Sequence, residues 1–231
     1  MSRDLARQDQ GSQDGQSGQG GQRSSRFPGF SAVAQARHWD PVTAGVVLSR
    51  LSRPPDLRFF TPSQEAVATA LCDRLLGQDD DPHGGPGDGP AIPVVAMIDA
   101  RLAEQQTDGW RYADLPEDGE AWRDTLRYLD DDARAKAGHG FAQCPPADQN
   151  AIIQAVQDLG GGRWHGLPAS RVWSLWTRYA CTAFYAHPRA WDEIGFPGPA
   201  YPRGYKNTGV DRREPFEVPD ARPDDDPVPD P

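Results

Sequence analysis

Long apolar runs are missing from this chain. No stretch approaches the ~20 consecutive apolar residues that cross a bilayer, so no segment reads as a membrane-spanning helix. The first residues, Met1-Ser-Arg-Asp-Leu-Ala-Arg-Gln, also lack the apolar core of a secretory signal, so the expected location is the cytoplasm. Cysteine is scarce: Cys72, Cys144 and Cys181 are odd in number and far apart, with no CxxC or CxxCH. That pattern excludes a disulfide framework and the usual zinc, iron–sulfur and c-type haem motifs. Positive charge is outnumbered as well, 24 Lys and Arg against 34 Asp and Glu, for a formal charge of −10. Such a chain has no general basic surface for nucleic acid or anionic lipid, because phosphate contact works by releasing counterions from concentrated cations. The motifs of common chemistries are absent too. There is no GxGxxG or P-loop, no GxSxG elbow, and no HxxxH or HExxH spacing among the five histidines.

What is abundant is glycine and proline, 24 and 23 residues of 231, while hydrophobic residues reach only 37%. These helix breakers are unevenly placed. Residues 1–25 are Gln, Gly, Ser, Asp and Arg with only Met1, Leu5 and Ala6 apolar, a composition expected to be disordered. Residues 217–231 hold five prolines and six acids against Arg222 alone, an acidic Pro-rich tail. A Gly/Asp/Pro loop at 77–90 interrupts the remainder; its Asp79-Asp80-Asp81 run lacks the alternating oxygen ligands and closing Glu of an EF-hand. A short arm at 26–55, with Val42, Val46, Val47 and Leu51, has too little apolar surface to fold alone and should pack on the domain or on a partner. The main domain is then 56–216.

Within it the apolar spacing is helical. Thr61-Pro62-Ser63-Gln64 is a capping-box signature with proline at the first helical position, and Val67, Ala70, Leu71 and Leu75 follow at steps of three and four before Gly77. A second helix starts at Pro93 with Val94, Ile98 and Leu102 on one face. A third spans about Glu117–Ala137, with Trp122, Leu126, Leu129 and Ala133 in register and Gly138 as its stop. A fourth follows Cys144-Pro145-Pro146 and ends at the Gly160-Gly161-Gly162 run, which therefore reads as a helix stop and not a phosphate cradle. The fifth runs from near Pro168 to His187-Pro188 with apolar residues on more than one face, as expected of the central helix. No alternating β-branched stretch is present. The expected fold is all-α: an irregular bundle of about five main helices with disordered N- and C-terminal tails.

Few residues offer chemistry. Cys72 and Cys181 fall on apolar helix faces, where a thiol acts as a small hydrophobe, and Cys144 before its prolines is the expected accessible one. His165, His187 and Cys144 are the nearest approach to a metal or catalytic set, and a stand-alone metal-binding protein or enzyme built on them is the alternative reading. No catalytic, cofactor or metal residue is assigned. The segment 187–206 is the most unusual: Trp191, Phe196, Tyr201 and Tyr205 lie among Pro and Gly, with Arg203 and Lys206 between them, in a stretch not expected to form a regular helix. Two readings stay open: an irregular wrap whose Trp191 and Phe196 fill the core edge, or a partner interface of aromatics and cations.

The chain resembles the gluconate 2-dehydrogenase subunit 3 family at several points. These are Phe59-Phe60-Thr61-Pro62-Ser63-Gln64, Ile92-Pro93-Val94-Val95, the Cys144-Pro-Pro-Ala-Asp-Gln helix opening, Phe184-Tyr-Ala-His-Pro188, and Trp191-x-x-Ile194-Gly195-Phe196-Pro197-Gly198-Pro199, over roughly residues 56–205. The resemblance implies a small non-catalytic subunit that supports the folding, stability or export of a FAD-dependent dehydrogenase of the glucose–methanol–choline class. FAD is then expected in the large subunit, none in this chain, with room for a cytochrome c subunit. Its partner interface would comprise Trp191, Phe196, Tyr201, Arg203, Tyr205 and Lys206. Two departures stand out. The Gly-Gly-Asn segment common before the Trp of the last motif is missing, since Pro188 and Trp191 are only two residues apart. The twin-arginine leader of many members is replaced by a polar tail, so export would rely on the partner.

Overall fold

The computed structural model describes residues 26–52, 54, 56–78, 90–210 and 212–224. The 1–25 tail, residues 79–89 of the Gly/Asp/Pro loop and residues 225–231 of the acidic tail lie outside them. The described chain is mostly helical: α1 (Pro41–Ser49), α2 (Pro62–Leu76), α3 (Val94–Ala103), α4 (Asp118–Ala137), α5 (Pro146–Asp158), α6 (Ala169–Ala186) and α7 (Pro188–Ile194). Two 3₁₀ turns, Val33–His38 and Phe141–Gln143, and a two-stranded hairpin of β1 (Arg163–Trp164) and β2 (Leu167–Pro168) complete it.

Local chemistry sets the helix ends. Gln64 N–H donates to the Thr61 hydroxyl at 3.3 Å while the Gln64 side-chain Oε1 accepts Thr61 N–H at 3.0 Å, so both limbs of the capping box form. Gly77 and Gly138 close α2 and α4 in the left-handed conformation. Helix α6 is central: α2, α3, α4, α5 and α7 all pack against it. Its Val172, Leu175, Trp176, Tyr179 and Ala180 are buried with Trp122, Leu126 and Leu129 of α4 and Leu71 of α2. Several polar atoms taken into this core are paired, while Trp122 Nε1 has no acceptor among the described residues. Trp176 Nε1 donates to Thr125 Oγ1 at 3.0 Å and Tyr179 OH to Asp118 at 2.7 Å. Asp99 of α3, 1% exposed, accepts the backbone N–H groups of Arg58, Phe59 and Phe60 at 2.7–2.8 Å and so seats the entry to α2.

Three sequence expectations need correction. Part of the 187–206 stretch is a regular helix: Pro188 occupies the first position of α7, where its missing N–H costs nothing, His187 Nδ1 accepts Arg189 N–H, and Gly195 ends it in the left-handed region. The thiols are the second. Cys144 is 5% exposed and Cys181 is the exposed one, because Cys181 falls on the open side of α6 with Thr182 and Tyr185, while Cys144 is turned toward the Gly140 carbonyl. The third is the acidic tail, whose residues 217–224 are folded back against the arm, as described next.

Candidate partner interface

The arm and the C-terminal segment form a second apolar cluster beside the main core. Ala32, Trp39 and Val47 of the arm are buried with Trp191 of α7, and Phe30, Ala36, Ala44 and Phe196 pack around them. The aromatics meet edge to face, Trp39 on Trp191 at 6.2 Å and Trp191 on Phe196 at 5.2 Å between centroids, as their quadrupoles favour. Hydrogen bonds clamp the same contact. Ala32 N–H donates to Asp192 at 2.6 Å, Arg50 to the Ala186 carbonyl at 2.7 Å, and Trp191 Nε1 to the Tyr185 carbonyl at 2.6 Å. Asp192, half-buried here, has its pKa raised by burial, an effect the Ala32 N–H partly offsets.

Two glycines of the Ile194-Gly-Phe-Pro-Gly198 motif make this fit possible. Gly195 (φ +64°) and Gly198 (φ +77°) are both left-handed, and a Cβ on Gly195 would stand 2.6 Å from Phe27 while one on Gly198 would overlap the Trp39 indole. The motif therefore receives the aromatic side chains of the arm.

Beyond Pro199 the described chain continues as an irregular strap, residues 200–210 and 212–224. Buried Glu214 organises it by accepting the backbone N–H groups of Lys206 and Asn207 and the Asn207 side-chain amide. Arg203 Cζ lies over Phe216, 3.9 Å from the ring centre, and its guanidinium donates to Gln35 of the arm at 3.2 Å. At the end, Arg26 grips Asp220 through Nε (2.8 Å) and Nη2 (2.5 Å) and also reaches the Arg222 carbonyl, while Ala221 N–H donates to the Arg26 carbonyl. The pair with Arg26 keeps the Asp220 carboxyl below its usual range against a raising contribution from burial.

The six residues predicted for a partner interface thus divide. Trp191 is 5% exposed and Phe196 is packed against it, so these two are corrected to internal supports: the arm, more than 140 residues away in sequence, covers them. Arg203 is half-buried as a bridge between arm and strap. Tyr201 (69% exposed), Tyr205 (52%) and Lys206 remain on the surface, joined by Val210, Arg212 and Arg213. Among the described residues no carboxylate lies within ion-pair distance of Arg203, Lys206, Arg212 or Arg213; in the bundle Arg58, Arg101, Arg111, Arg127, Arg134, Arg171 and Arg178 are paired, while Arg123, Lys136, Arg163 and Arg189 have no ion pair among the described residues. Glu214, Phe216, Trp39 and Asp220 went unrecognised as parts of this site. Trp39 and Phe216 carried one signal, an isolated large aromatic in an otherwise polar or Pro-rich stretch.

The alternative set His165, His187 and Cys144 has three different environments. His165 Nε2 meets Asp132 at 2.7 Å and its ring stacks on Tyr128 at the hairpin turn. Cys144 Sγ faces His139 Nδ1 at 3.6 Å, and burial pushes its thiol pKa up. His187 is wholly buried at the α6–α7 junction, where burial and the nearby Arg189 hold its pKa down to about 4. Among the described residues no group of three or more His, Cys, Asp or Glu side chains is placed to hold a metal ion, and no helix is long and apolar enough to cross a membrane. An open groove beside Cys144, about 490 Å³ between α2 and α5, is lined by residues including Pro62, Glu65, Ala66, Thr69, Asp73 and Gln149, with no cationic side chain among its described lining.

Fold and site together define a helical-bundle protein whose N-terminal arm and C-terminal strap are joined into a lobe presenting unpaired cations and tyrosines. The chain belongs to the gluconate 2-dehydrogenase subunit 3 family, which matches residues 62–198, from the first residue of α2 to the Gly198 that seats Trp39. No curated protein and no solved structure matches the chain. The family implies an accessory subunit of a gluconate 2-dehydrogenase.

Proposed function

We propose that this chain is the non-catalytic small subunit of a FAD-dependent sugar or alcohol dehydrogenase of the glucose–methanol–choline class. It binds the large subunit and supports its folding, stability or export, and the flavin belongs to that partner. The observation that carries this reading is the family match, which ends directly before the exposed Tyr201–Lys206 segment. Tyrosine and arginine on an ordered, irregular strap are what protein interfaces favour: large contact area, few rotatable bonds and a polar tip. The complex either stays in the cytoplasm or is exported with the leader on the large subunit.

Co-expression with the dehydrogenase subunit followed by size-exclusion chromatography tests the reading. A shared peak and a lower yield of flavin-loaded dehydrogenase without this chain are expected; two separate peaks with an unchanged yield would sink it. Tyr201→Ala and Tyr205→Ala should each weaken the complex at least about tenfold, the lower range of interface hot spots, while the isolated chain keeps its thermal midpoint. A matching loss of midpoint would place these tyrosines in the fold instead.

A further inference from the structure

Between the 3₁₀ turn Val33–His38 and strap residues 215–219 lies an open cleft of about 560 Å³. Its apolar walls include Phe30, Phe216 and Val218, and its cations are Arg37 and Arg203. One carboxylate, Glu217, also lines it, and that group already accepts the Glu214 N–H at 2.6 Å. Arg203 is fixed in place by Phe216 and Gln35, yet no acid compensates its charge among the described residues, and its buried Nε has no acceptor there. Arg37 is exposed and donates its Nε to His38 Nε2 at 3.1 Å. The cleft therefore sets aromatic walls beside a guanidinium held in place, with a second, exposed guanidinium at its edge, and a carboxylate is the ligand that suits both.

We infer that the cleft binds a short acidic peptide segment of the dehydrogenase subunit, with its carboxylates on Arg37 and Arg203 and neighbouring Pro or aliphatic side chains on Phe30 and Phe216. The inference takes its partner from the function proposed above and its chemistry from the cleft. Because Arg37 is solvent-exposed, part of the attraction is long-range and falls with salt.

The test is fluorescence polarisation of the full chain with a fluorescein-labelled octapeptide alternating Asp with Val and Pro, beside its twin with Asn in place of Asp. At low salt the Asp peptide should bind at least tenfold more tightly than the twin. Arg37→Gln and Arg203→Gln should each weaken it about tenfold, as expected of charge-assisted contacts. Arg37→Gln removes no packing, so its thermal midpoint should match the parent chain and keep the result readable if Arg203→Gln unsettles Phe216. No binding, equal binding of the twins, or an Arg37→Gln chain that binds like the parent would overturn the inference. Competition by sodium gluconate at constant ionic strength would assign the cleft to a free carboxylate and overturn the peptide. A chain ending at Asp224 should bind equally well; a gain above tenfold would make its own terminus the occupant and remove the partner from the cleft. Co-purification with the dehydrogenase separates the two readings. If the dehydrogenase fails to co-purify while the peptide still binds, the proposed partner falls. If co-purification ignores Arg37→Gln, the cleft falls and the partner reading stands.

Discussion

Gly198→Ala should release the N-terminal arm while leaving the bundle folded. Two costs add at this position. Alanine at φ +77° pays roughly 1–2 kcal/mol for the left-handed backbone. Its methyl group would overlap Cζ2 of Trp39 and stand 2.9 Å from Cε2, well inside the ~3.5–4.0 Å of a carbon contact. Trp39 is 7% exposed and braced by Trp191, so relief requires moving the indole, an overpacking cost of about 1–3 kcal/mol. The total is about 2–5 kcal/mol, and at 1.4 kcal/mol per factor of ten the open-arm population should rise on the order of a hundredfold. The main core shares no residue with the arm cluster, so its melting should be nearly unchanged. Brief trypsin digestion with mass spectrometry reads the opening as cleavage after Arg50, whose guanidinium is held on the Ala186 carbonyl when the arm is docked. Cleavage follows the open population when closing is faster than cutting. Gly138→Ala is the control: at φ +79°, with nothing within 4 Å of a new Cβ and far from the arm, it carries strain alone. Cleavage of Gly198→Ala within twofold of the parent, or an equal rise in Gly138→Ala, would refute the reasoning.

Asp99→Ala should cost about 3–5 kcal/mol in equilibrium urea denaturation, because it strips one charged acceptor from three N–H groups at the entry to α2; a loss under about 1 kcal/mol would contradict that role. His187 sets a pH dependence whose sign follows from its lowered pKa. The unfolded chain takes up a proton below the ordinary value of 6.5 and the folded chain only below about 4, so stability is full above 6.5 and falls as pH drops toward 4, by on the order of 2–3 kcal/mol. His187→Asn keeps an acceptor for the Arg189 N–H and should flatten that slope in urea denaturation at pH 7.0, 5.5 and 4.5; parallel profiles for the two chains would count against it.

What could be read from the sequence was what four or five neighbouring residues decide. The capping box at Thr61, the stops at Gly77 and Gly138, and the apolar stripes of α2, α4 and α6 depend on short-range spacing, and the five main helices stand where that spacing predicts. Pro188 misled because the same residue that ends α6 is also suited to begin α7, and only the His187 cap and Gly195 decide between the two. The surface assignment of Trp191 failed for a different reason. Its burial is produced by Trp39 and Ala32, and no local pattern couples positions so far apart. Residues 217–224 likewise looked like a solvated acidic tail, since the Arg26–Asp220 pair that holds them joins residues 194 positions apart.

That difference in range bears on where the partner should be sought. The most specific part of the family resemblance, Trp191 to Pro199, faces inward: its tryptophan is buried, its phenylalanine packs beside it, and its glycines receive Phe27 and Trp39. A motif that is filled by the chain's own arm has little surface left to offer a second protein. The unpaired cations and exposed tyrosines begin just after it, at Tyr201, and one of these cations, Arg203, lines the cleft that Phe30, Gln35 and Arg37 of the arm wall on the other side. The motif therefore acts at one remove, as the seat that fixes the arm and strap against each other. Loss of the seat in Gly198→Ala should consequently weaken the acidic peptide and the dehydrogenase together, although Gly198 itself is not among the residues lining the cleft.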